Sequence, residues 1–226
     1  MLKDIEVVFF DLFYTLIVPK YKLSTNEYDV VGLSKEDWEE IAEDEMLYSD
    51  RATGRVTDPK QIILEMIEKA ELDLTDNVIE NLMHIRKKRF KDALIGVDED
   101  IIEVLKKIKE AGIKLCLISN ADIIDVMYWK ASPLCQLFDD VVFSYEVGCV
   151  KPDAEIYEIA LNKMNTISEK CLFVGDGGSD ELKGAKQLGI TTAMAKQFIE
   201  RDELKNSEDV DYVINKFSDL CHLLKI

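Results

Sequence analysis

Short apolar runs alternate with amphipathic stretches along most of this 226-residue chain, and this alternation constrains its fold more than any other feature. The runs predicted as buried strands are 7–10, 114–118, 141–143, 171–174, 191–193 and the weaker 212–214. The stretches predicted as helices between them are 100–111, 153–164 and 180–188. Strand, helix and strand in repeated order predict βαβ units, and therefore an α/β fold with a doubly wound parallel sheet.

Residues 23–92 interrupt this alternation, because they contain no convincing strand. Three helices are predicted there, over 34–50, 61–70 and 76–90. Ser34 is the predicted N-cap of the first helix, with Asp37 three residues later. We therefore expect a core formed by residues 1–22 and 93–226, with residues 23–92 inserted as a small helical domain.

The chain is strongly acidic, with 45 acidic and 28 basic side chains and a net charge of -17. This charge repels nucleic acid and anionic membranes, because phosphate binding requires clustered Lys and Arg. The dense basic run at 86–89 is predicted to be a solvated helix face. We therefore expect no nucleic-acid or membrane partner, and the oligomeric state stays open between a monomer and a homodimer.

The cysteines and the N-terminal segment indicate the compartment. The five cysteines are odd in number and widely spaced, without a CxxC pair, which argues against a zinc site or a disulfide framework. The N-terminal segment lacks the pattern of a signal peptide, and no apolar run reaches the roughly 18 residues of a membrane span. These features predict a protein of the reducing cytoplasm.

Polar side chains follow the first four predicted strands. Asp11 follows the first strand, Ser119 and Asn120 the second, Lys151 the third and Asp176 the fourth. Ligands of doubly wound sheets bind beyond the carboxyl ends of the strands, so we expect these side chains to converge. Each one alone is compatible with a turn or a helix cap. Together they are the groups that metal-assisted phosphoryl transfer requires: a nucleophilic carboxylate and donors that stabilise the developing charge.

Four segments extend this interpretation to a family. The segments FFDLFYTL, LISNA, VKPDAEIY and VGDGGSDELKGAKQLGI resemble the four motifs of the haloacid dehalogenase-like superfamily. The resemblance runs from Val7 to about Ala195, and the helical insertion resembles the C1 cap of that superfamily. It therefore implies a Rossmann-like core with a cap domain that closes over the site.

The resemblance implies a role for each matched residue. Asp11 would be the nucleophile and form an aspartyl intermediate, with its surroundings oriented by Thr15. Ser119 and Asn120 would bind the phosphoryl or carboxyl oxygens of the substrate. Lys151 would balance the negative charge of Asp11 and of the substrate.

The resemblance also implies a Mg²⁺ site, which would be formed by Asp176, Asp11 and the backbone carbonyl of Phe13. Carboxylates of this kind suit a hard cation. A further acidic ligand would be Asp180, which fits one spacing of the motif and is preferred, or Glu181, which fits another.

The sequence departs from the family pattern at two neighbouring positions. Phe13 stands where phosphatases of the family carry a second Asp that protonates the leaving group, a contribution typically worth about 10²–10⁴-fold. Dehalogenases of the family carry an aromatic residue there and use no metal. Tyr14 stands where Gly or a small acid is usual, and we expect it to narrow the pocket or to pack in the core.

Three side chains of the insertion are candidates for facing the substrate: Tyr48, Arg51 and Arg55. Arg51 is the strongest of them, because a guanidinium can bind a carboxylate or a phosphate through two hydrogen bonds. The alternative, which the sequence favours over substrate binding, is a structural role for Arg51 at the end of a surface helix.

Three functions fit these residues. The favoured one is a Mg²⁺-dependent phosphatase that hydrolyses a small phosphorylated metabolite through Asp11. The second is a 2-haloacid dehalogenase-like hydrolase, supported by Phe13 and opposed by Asp176. The third is a catalytically silent protein that binds a metal or ligand, supported only by Phe13.

Overall fold

A six-stranded parallel sheet forms the centre of the protein in a computed structural model that describes residues 4–22, 25–201, 204 and 207–226. The strands are β1 (Val7–Phe10), β2 (Lys114–Ser119), β3 (Asp140–Phe143), β4 (Cys171–Gly175), β5 (Thr191–Ala195) and β6 (Tyr212–Ile214). Their order is β3-β2-β1-β4-β5-β6, and every neighbouring pair is parallel. This confirms the predicted α/β class and the doubly wound sheet.

Helices cover the sheet and fill the insertion. They are α1 (Glu27–Val31), α2 (Lys35–Ala42), α3 (Glu45–Ala52), α4 (Pro59–Lys69), α5 (Asp76–Ile95), α6 (Glu99–Glu110), α7 (Ile123–Val126), α8 (Ser144–Val147), α9 (Ala154–Met164), α10 (Glu181–Gln187) and α11 (Asp219–Leu224). Short 3₁₀ helices cover Trp129–Ala131, Pro133–Gln136, Ser168–Lys170 and Gly178–Asp180. In the part of the chain that the structure describes, no helix is both long enough and apolar enough to span a bilayer.

The sheet separates two hydrophobic cores, and β1 contributes to both. Val8 and Phe10 face one core, where α6 and α11 pack, while Val7 and Phe9 face the other, where α9 and α10 pack. All four of these strand residues are at most 1% exposed. Because both faces of a parallel sheet are covered by helices, its strands are continuous apolar runs, which is the pattern that the sequence shows.

Six of the described helices lie between β1 and β2, and the first five, α1 to α5, contribute to a third hydrophobic cluster. Its fully buried members include Trp38, Ile63 and Leu82. The division of the chain at residues 92 and 93 stays a prediction, and α5 continues through that boundary to Ile95.

The prediction of one helix over 34–50 is wrong. Ser34 does cap the first helix, because its hydroxyl accepts a hydrogen bond from the backbone of Asp37 at 3.0 Å. That helix ends at Ala42, and Asp44 caps a second one by accepting hydrogen bonds from Met46 N and Leu47 N. Asp favours this cap position over a helix interior, which explains the break. The short helix α1 was not predicted.

The topology determines where a site can form. The chain builds β1, β2 and β3 outward in one direction, then returns to add β4 on the other side of β1. The loops after β1 and β4 therefore diverge and leave a crevice between them at the carboxyl edge of the sheet. Asp11 and Asp176 are the first residues of these two loops.

We expect Leu117→Ala to lower the free energy of unfolding by about 2–5 kcal/mol, because Leu117 is fully buried in the central strand β2 and its truncation leaves a cavity. Urea unfolding followed by circular dichroism measures this change. Val213→Ala is the matched control, since Val213 lies on the edge strand β6 and is 41% exposed. A loss of less than 1 kcal/mol for Leu117→Ala would contradict the assignment of β2 to the core.

Candidate active site

A cavity of about 480 Å³ lies over the carboxyl edge of the sheet, between the core and the helical insertion. Asp11, Lys151, Asp176 and Glu181 line its core side. Side chains of α2, α3 and α5 line the opposite side. The structure therefore brings together four of the predicted site residues, which come from three separate segments of the chain.

Lys151 is the central cation of this site. Its Nζ donates to Asp11 Oδ1 and to Glu181 Oε2, both at 2.5 Å, and the residue is only 3% exposed. Asn120 holds the loop that carries it, since Asn120 Nδ2 donates to the Lys151 carbonyl at 2.9 Å and Asn120 Oδ1 accepts from the Lys151 amide at 2.7 Å. The side-chain amide of Asn120, predicted to bind substrate, is thus used to position Lys151.

Burial and crowding perturb the acid–base properties of these groups. Burial and the neighbouring Asp176 raise the pKa of Asp11, against the opposing effect of Lys151. Burial and Asp11 raise the pKa of Glu181 to about 8. Although burial opposes the charge of Lys151, the two carboxylates raise its pKa, so it remains an ammonium ion. The raised pKa values show that a single ammonium does not fully compensate the carboxyl groups around it, so the cluster could accept a further cation.

Three carboxylates are arranged so that they could hold a metal ion. Asp11, Asp176 and Glu181 are all buried, and each offers an oxygen within 4.8 Å of the others. Asp11 Oδ2 is buried and has no hydrogen-bond partner among the residues described. Oxygen donors alone are the ligand set that Mg²⁺ prefers, so these residues fit such an ion.

The structure favours Glu181 over Asp180 as the third carboxylate, which reverses the order of preference drawn from the spacing. Asp180 is exposed and lies at the end of the 3₁₀ turn, whereas Glu181 is the first residue of α10 and is 1% exposed. The approach of Glu181 requires Gly175, because a Cβ at that position would lie 2.1 Å from Glu181 Oε1. The backbone of Ser179 and Asp180 is in the left-handed conformation. This turn directs the side chain of Glu181 inward.

Two hydroxyl groups accompany the nucleophile candidate. Thr15 is fully buried, and its hydroxyl oxygen has no hydrogen-bond partner among the described residues. Ser119 ends β2, and its buried hydroxyl oxygen has no hydrogen-bond partner within the described segments. An unpaired buried hydroxyl is costly unless something else binds it, so Ser119 remains a candidate for binding substrate oxygens.

Arg201 contacts this site and was not predicted from the sequence. It follows β5 on the loop that leads to β6, and its Nε and Nη2 both donate to Asp176 Oδ2, at 2.9 and 2.6 Å. Its side chain also lines the cavity. Arg201 lies outside the recognised motifs, and its partner Asp176 lies 25 residues earlier. The sequence around Arg201 therefore gives no local signal for this contact.

The insertion presents buried arginines to the cavity. Arg51 Nε pairs with Asp122 Oδ2 at 3.1 Å, and its Nη1 is buried without a partner in the described part of the chain. Arg86 pairs with the same Asp122 oxygen at 3.4 Å and with Asp125 at 3.3 Å. The prediction of a solvated basic face is wrong for Arg86, which is 3% exposed, and for Arg89, whose side chain is 10% exposed.

The periodicity of α5 carries a signal that could have revealed this arrangement. Its buried residues are Ile79, Leu82, Arg86, Phe90 and Leu94, which are spaced three or four apart and form one stripe. Arg86 therefore lies within the apolar face of the helix rather than on its charged face.

Aromatic rings surround the mouth of the cavity. The ring of Phe13 packs edge-on against Phe90 of α5, with 5.7 Å between centroids. Tyr14 lines the cavity with a left-handed φ of 60° and is 40% exposed, so it is not a core residue. Tyr48 also lines the cavity, whereas Arg55 does not and instead pairs with Asp50 at the surface. Arg55 therefore does not face the candidate substrate site.

Comparison with known proteins identifies the family. The family model described as "haloacid dehalogenase-like hydrolase" matches residues 5–189. The chain belongs to this family. The match spans the strands and loops that carry Asp11, Lys151 and Asp176, so the family assignment rests on the same segments as the site.

Curated relatives of the chain are named as phosphatases. Glyceraldehyde 3-phosphate phosphatase of Methanocaldococcus jannaschii is 30% identical over 138 residues, which are 60% of this chain and 59% of that protein. Pyrophosphatase PpaX of Halalkalibacterium halodurans is 30% identical over 136 residues, which are 60% and 63%. The chain therefore aligns with about three fifths of the length of each of these relatives.

A solved structure supports the fold over the whole chain. A dehalogenase crystal structure superposes with a TM-score of 0.72 and covers 99% of this chain and 98% of its own. Because the two sequences are 20% identical, this likeness concerns the fold alone.

We expect Lys151→Met to lower the free energy of unfolding by about 3–5 kcal/mol without added metal, because the carboxylates of Asp11 and Glu181 would remain buried without their counter-ion. Saturating Mg²⁺ is expected to recover part of the loss, and urea unfolding with and without Mg²⁺ measures both effects. In the matched control Lys163→Met, a half-exposed pair with Asp140 is removed, and the loss should stay below about 1 kcal/mol. Equal losses in the two variants would contradict the central role of Lys151.

Proposed function

We propose that the protein is a Mg²⁺-dependent phosphatase that hydrolyses a small phosphorylated metabolite in the cytoplasm through an aspartyl-phosphate at Asp11. The observation that carries this proposal is the buried cluster of Asp11, Asp176 and Glu181, in which Asp11 Oδ2 is unpaired among the described residues. Two relatives that are named as phosphatases, and that align with this chain over about three fifths of their length, support the same reaction type.

The chemistry assigned to the chain's own residues has two steps. In the first, a carboxylate oxygen of Asp11 attacks phosphorus, the bond to the leaving oxygen breaks, and that oxygen takes a proton from solvent. In the second, water attacks the same phosphorus, which releases inorganic phosphate and restores Asp11. Lys151 remains charged throughout and offsets the negative charge on the phosphoryl oxygens, with Ser119 as a further donor. Bound Mg²⁺, held by Asp11, Asp176, Glu181 and the proposed carbonyl of Phe13, would supply additional electrostatic stabilisation.

The insertion is proposed to recognise the rest of the substrate. A cavity of about 480 Å³ suits a small molecule rather than a polymer. Arg51 presents an unpaired Nη1, and we propose that it donates to an anionic or hydroxyl group of the substrate. Tyr14 and Tyr48 are proposed to form the apolar walls beside it.

A dehalogenase-like reaction at Asp11 is the second candidate. The aromatic ring of Phe13 beside the nucleophile favours it. The buried acidic cluster disfavours it, because attack on carbon by Asp11 has no use for two further carboxylates, and these would repel the carboxylate of a haloacid. A silent metal-binding protein would also use the buried acidic cluster, and the relatives named as phosphatases are what favours hydrolysis over it.

We expect Asp11→Asn to reduce the hydrolysis of an aryl phosphate in Mg²⁺ by about 10⁴-fold, because an amide is not a nucleophile. Hydrolysis should also be lost in EDTA. Asp180→Asn is the matched control, since Asp180 is an exposed acid outside the cluster and its loss should change the rate by less than about twofold. Equal activity of Asp11→Asn and the wild type would overturn the proposal, and chloride release from a 2-chloro acid would then test the second candidate.

We expect Phe13→Asp to raise the hydrolysis of alkyl phosphates by about 10²-fold or more, because it introduces a group that can protonate the leaving oxygen. The rate constants of the purified variants with an alkyl and an aryl phosphate measure this gain. Phe13→Asn has nearly the same shape and also loses the contact with Phe90, but it cannot transfer a proton and should show no gain. A similar gain in both variants would assign the effect to pocket size instead.

A further inference from the structure

Most oxygens of the acidic cluster are already engaged within the protein. Asp11 Oδ1 and Glu181 Oε2 accept from Lys151, and Glu181 Oε1 accepts from the backbone N–H of Gly177 at 3.0 Å. These contacts are buried and tie separate elements together. Among the described residues Asp11 Oδ2 has no hydrogen-bond partner, whereas at the other oxygens an entering cation competes with positively charged or N–H donors that are already bound.

Asp176 is the carboxylate whose partner can be exchanged at the lowest cost. Its Oδ1 accepts from the backbone N–H of Gly178 at 3.3 Å, and its Oδ2 accepts twice from Arg201. The side chain of Arg201 is 28% exposed, whereas that of Lys151 is 2% exposed. A guanidinium that already touches solvent loses little when it leaves Asp176, whereas a buried ammonium has no such alternative.

The contact between Arg201 and Asp176 is built into the surrounding backbone. A Cβ at Gly178 would lie 3.0 Å from Arg201 Nη2, so the glycine leaves the space that the guanidinium occupies. The guanidinium therefore fits over Asp176 in space that a larger residue at position 178 would fill.

We infer that Arg201 is the counter-ion of Asp176 until a divalent cation binds, and that the displaced guanidinium then becomes a second cationic donor to the anion in the cavity. This inference rests on the proposed function, because it takes Asp176 as a metal ligand. Arg201 lines the same cavity as Asp11 and Lys151, which is where the phosphoryl group of the proposed substrate would bind. The metal and the anion therefore bind in a preferred order, with the metal first.

Two consequences distinguish this role from a purely structural one. Removal of the guanidinium relieves the competition for Asp176, so Mg²⁺ should bind more tightly. The same removal takes a donor away from the anion, so inorganic phosphate should bind more weakly once Mg²⁺ is saturating. A residue that only stabilises the loop would change both affinities in the same direction.

The test uses isothermal titration calorimetry on the full chain at constant pH and ionic strength, first with Mg²⁺ and then with inorganic phosphate in saturating Mg²⁺. For Arg201→Gln we expect the Kd for Mg²⁺ to fall about tenfold and the Kd for phosphate to rise about tenfold. Arg201→Lys keeps the charge but not the paired hydrogen bonds, so both shifts should be smaller. It also provides a folded comparison if the glutamine variant is unstable.

Lys170→Gln is the matched control, because it also removes one positive charge but lies before β4, at the opposite edge of the sheet. Its affinities should equal those of the wild type. An unchanged or weaker Mg²⁺ affinity in Arg201→Gln, or an unchanged phosphate affinity, would overturn the inference while a Mg²⁺-dependent hydrolysis by the wild type left the proposed function standing. No Mg²⁺ binding by the wild type, together with no hydrolysis, would overturn both.

Discussion

The rest of the site depends on the balance of charge in one buried cluster. Three carboxylates lie within 4.8 Å of one another, and a single buried ammonium, that of Lys151, contacts two of them. Like charges at this distance destabilise one another where water is excluded. This shortage of positive charge explains both why Asp176 accepts hydrogen bonds from the guanidinium of Arg201 and why the cluster suits a divalent cation. The same contacts join the loop after β1, the loop that carries Lys151 and the start of α10.

The parallel sheet makes this cluster possible by fixing where the loops begin. β1 and β4 are neighbours, so the residues that follow them emerge side by side. Backbone features then direct individual side chains: Gly175 leaves room for Glu181, and the amide of Asn120 clamps the backbone of Lys151. Each of these arrangements positions a buried charged side chain and lowers the stability of the fold, because burying a carboxylate or a lysine is less favourable than burying an apolar residue of similar size. Such a cost is typical of residues retained for function rather than for folding.

The sequence predicts the sheet, and the positions of Asp11 and Asp176 directly after β1 and β4, because both follow local rules. Buried parallel strands are apolar on both faces, and their carboxyl ends meet at one edge. The sequence could not show whether Asp180 or Glu181 faces the acidic cluster, since this depends on a left-handed turn rather than on spacing. Arg201 was not predicted because its contact is with Asp176, which lies in the loop after a different strand. The burial of Arg86 was missed for a different reason: its charged neighbours hid a helical stripe that was present in the sequence.

Phe13 links the two parts of the molecule at the place where a proton donor would otherwise be expected. Its ring contacts Phe90 of α5, so the loop of the nucleophile touches the insertion directly. A second link joins Arg51 and Arg86 of the insertion to Asp122, two residues after the Asn120 that clamps Lys151. Both links end on segments that carry the proposed site residues, namely the loop after β1 with Asp11 and the segment whose Asn120 holds the backbone of Lys151. A change in the packing of the insertion is therefore expected to displace both segments together, and the aromatic ring at position 13 stabilises this packing, which a carboxyl group could not do.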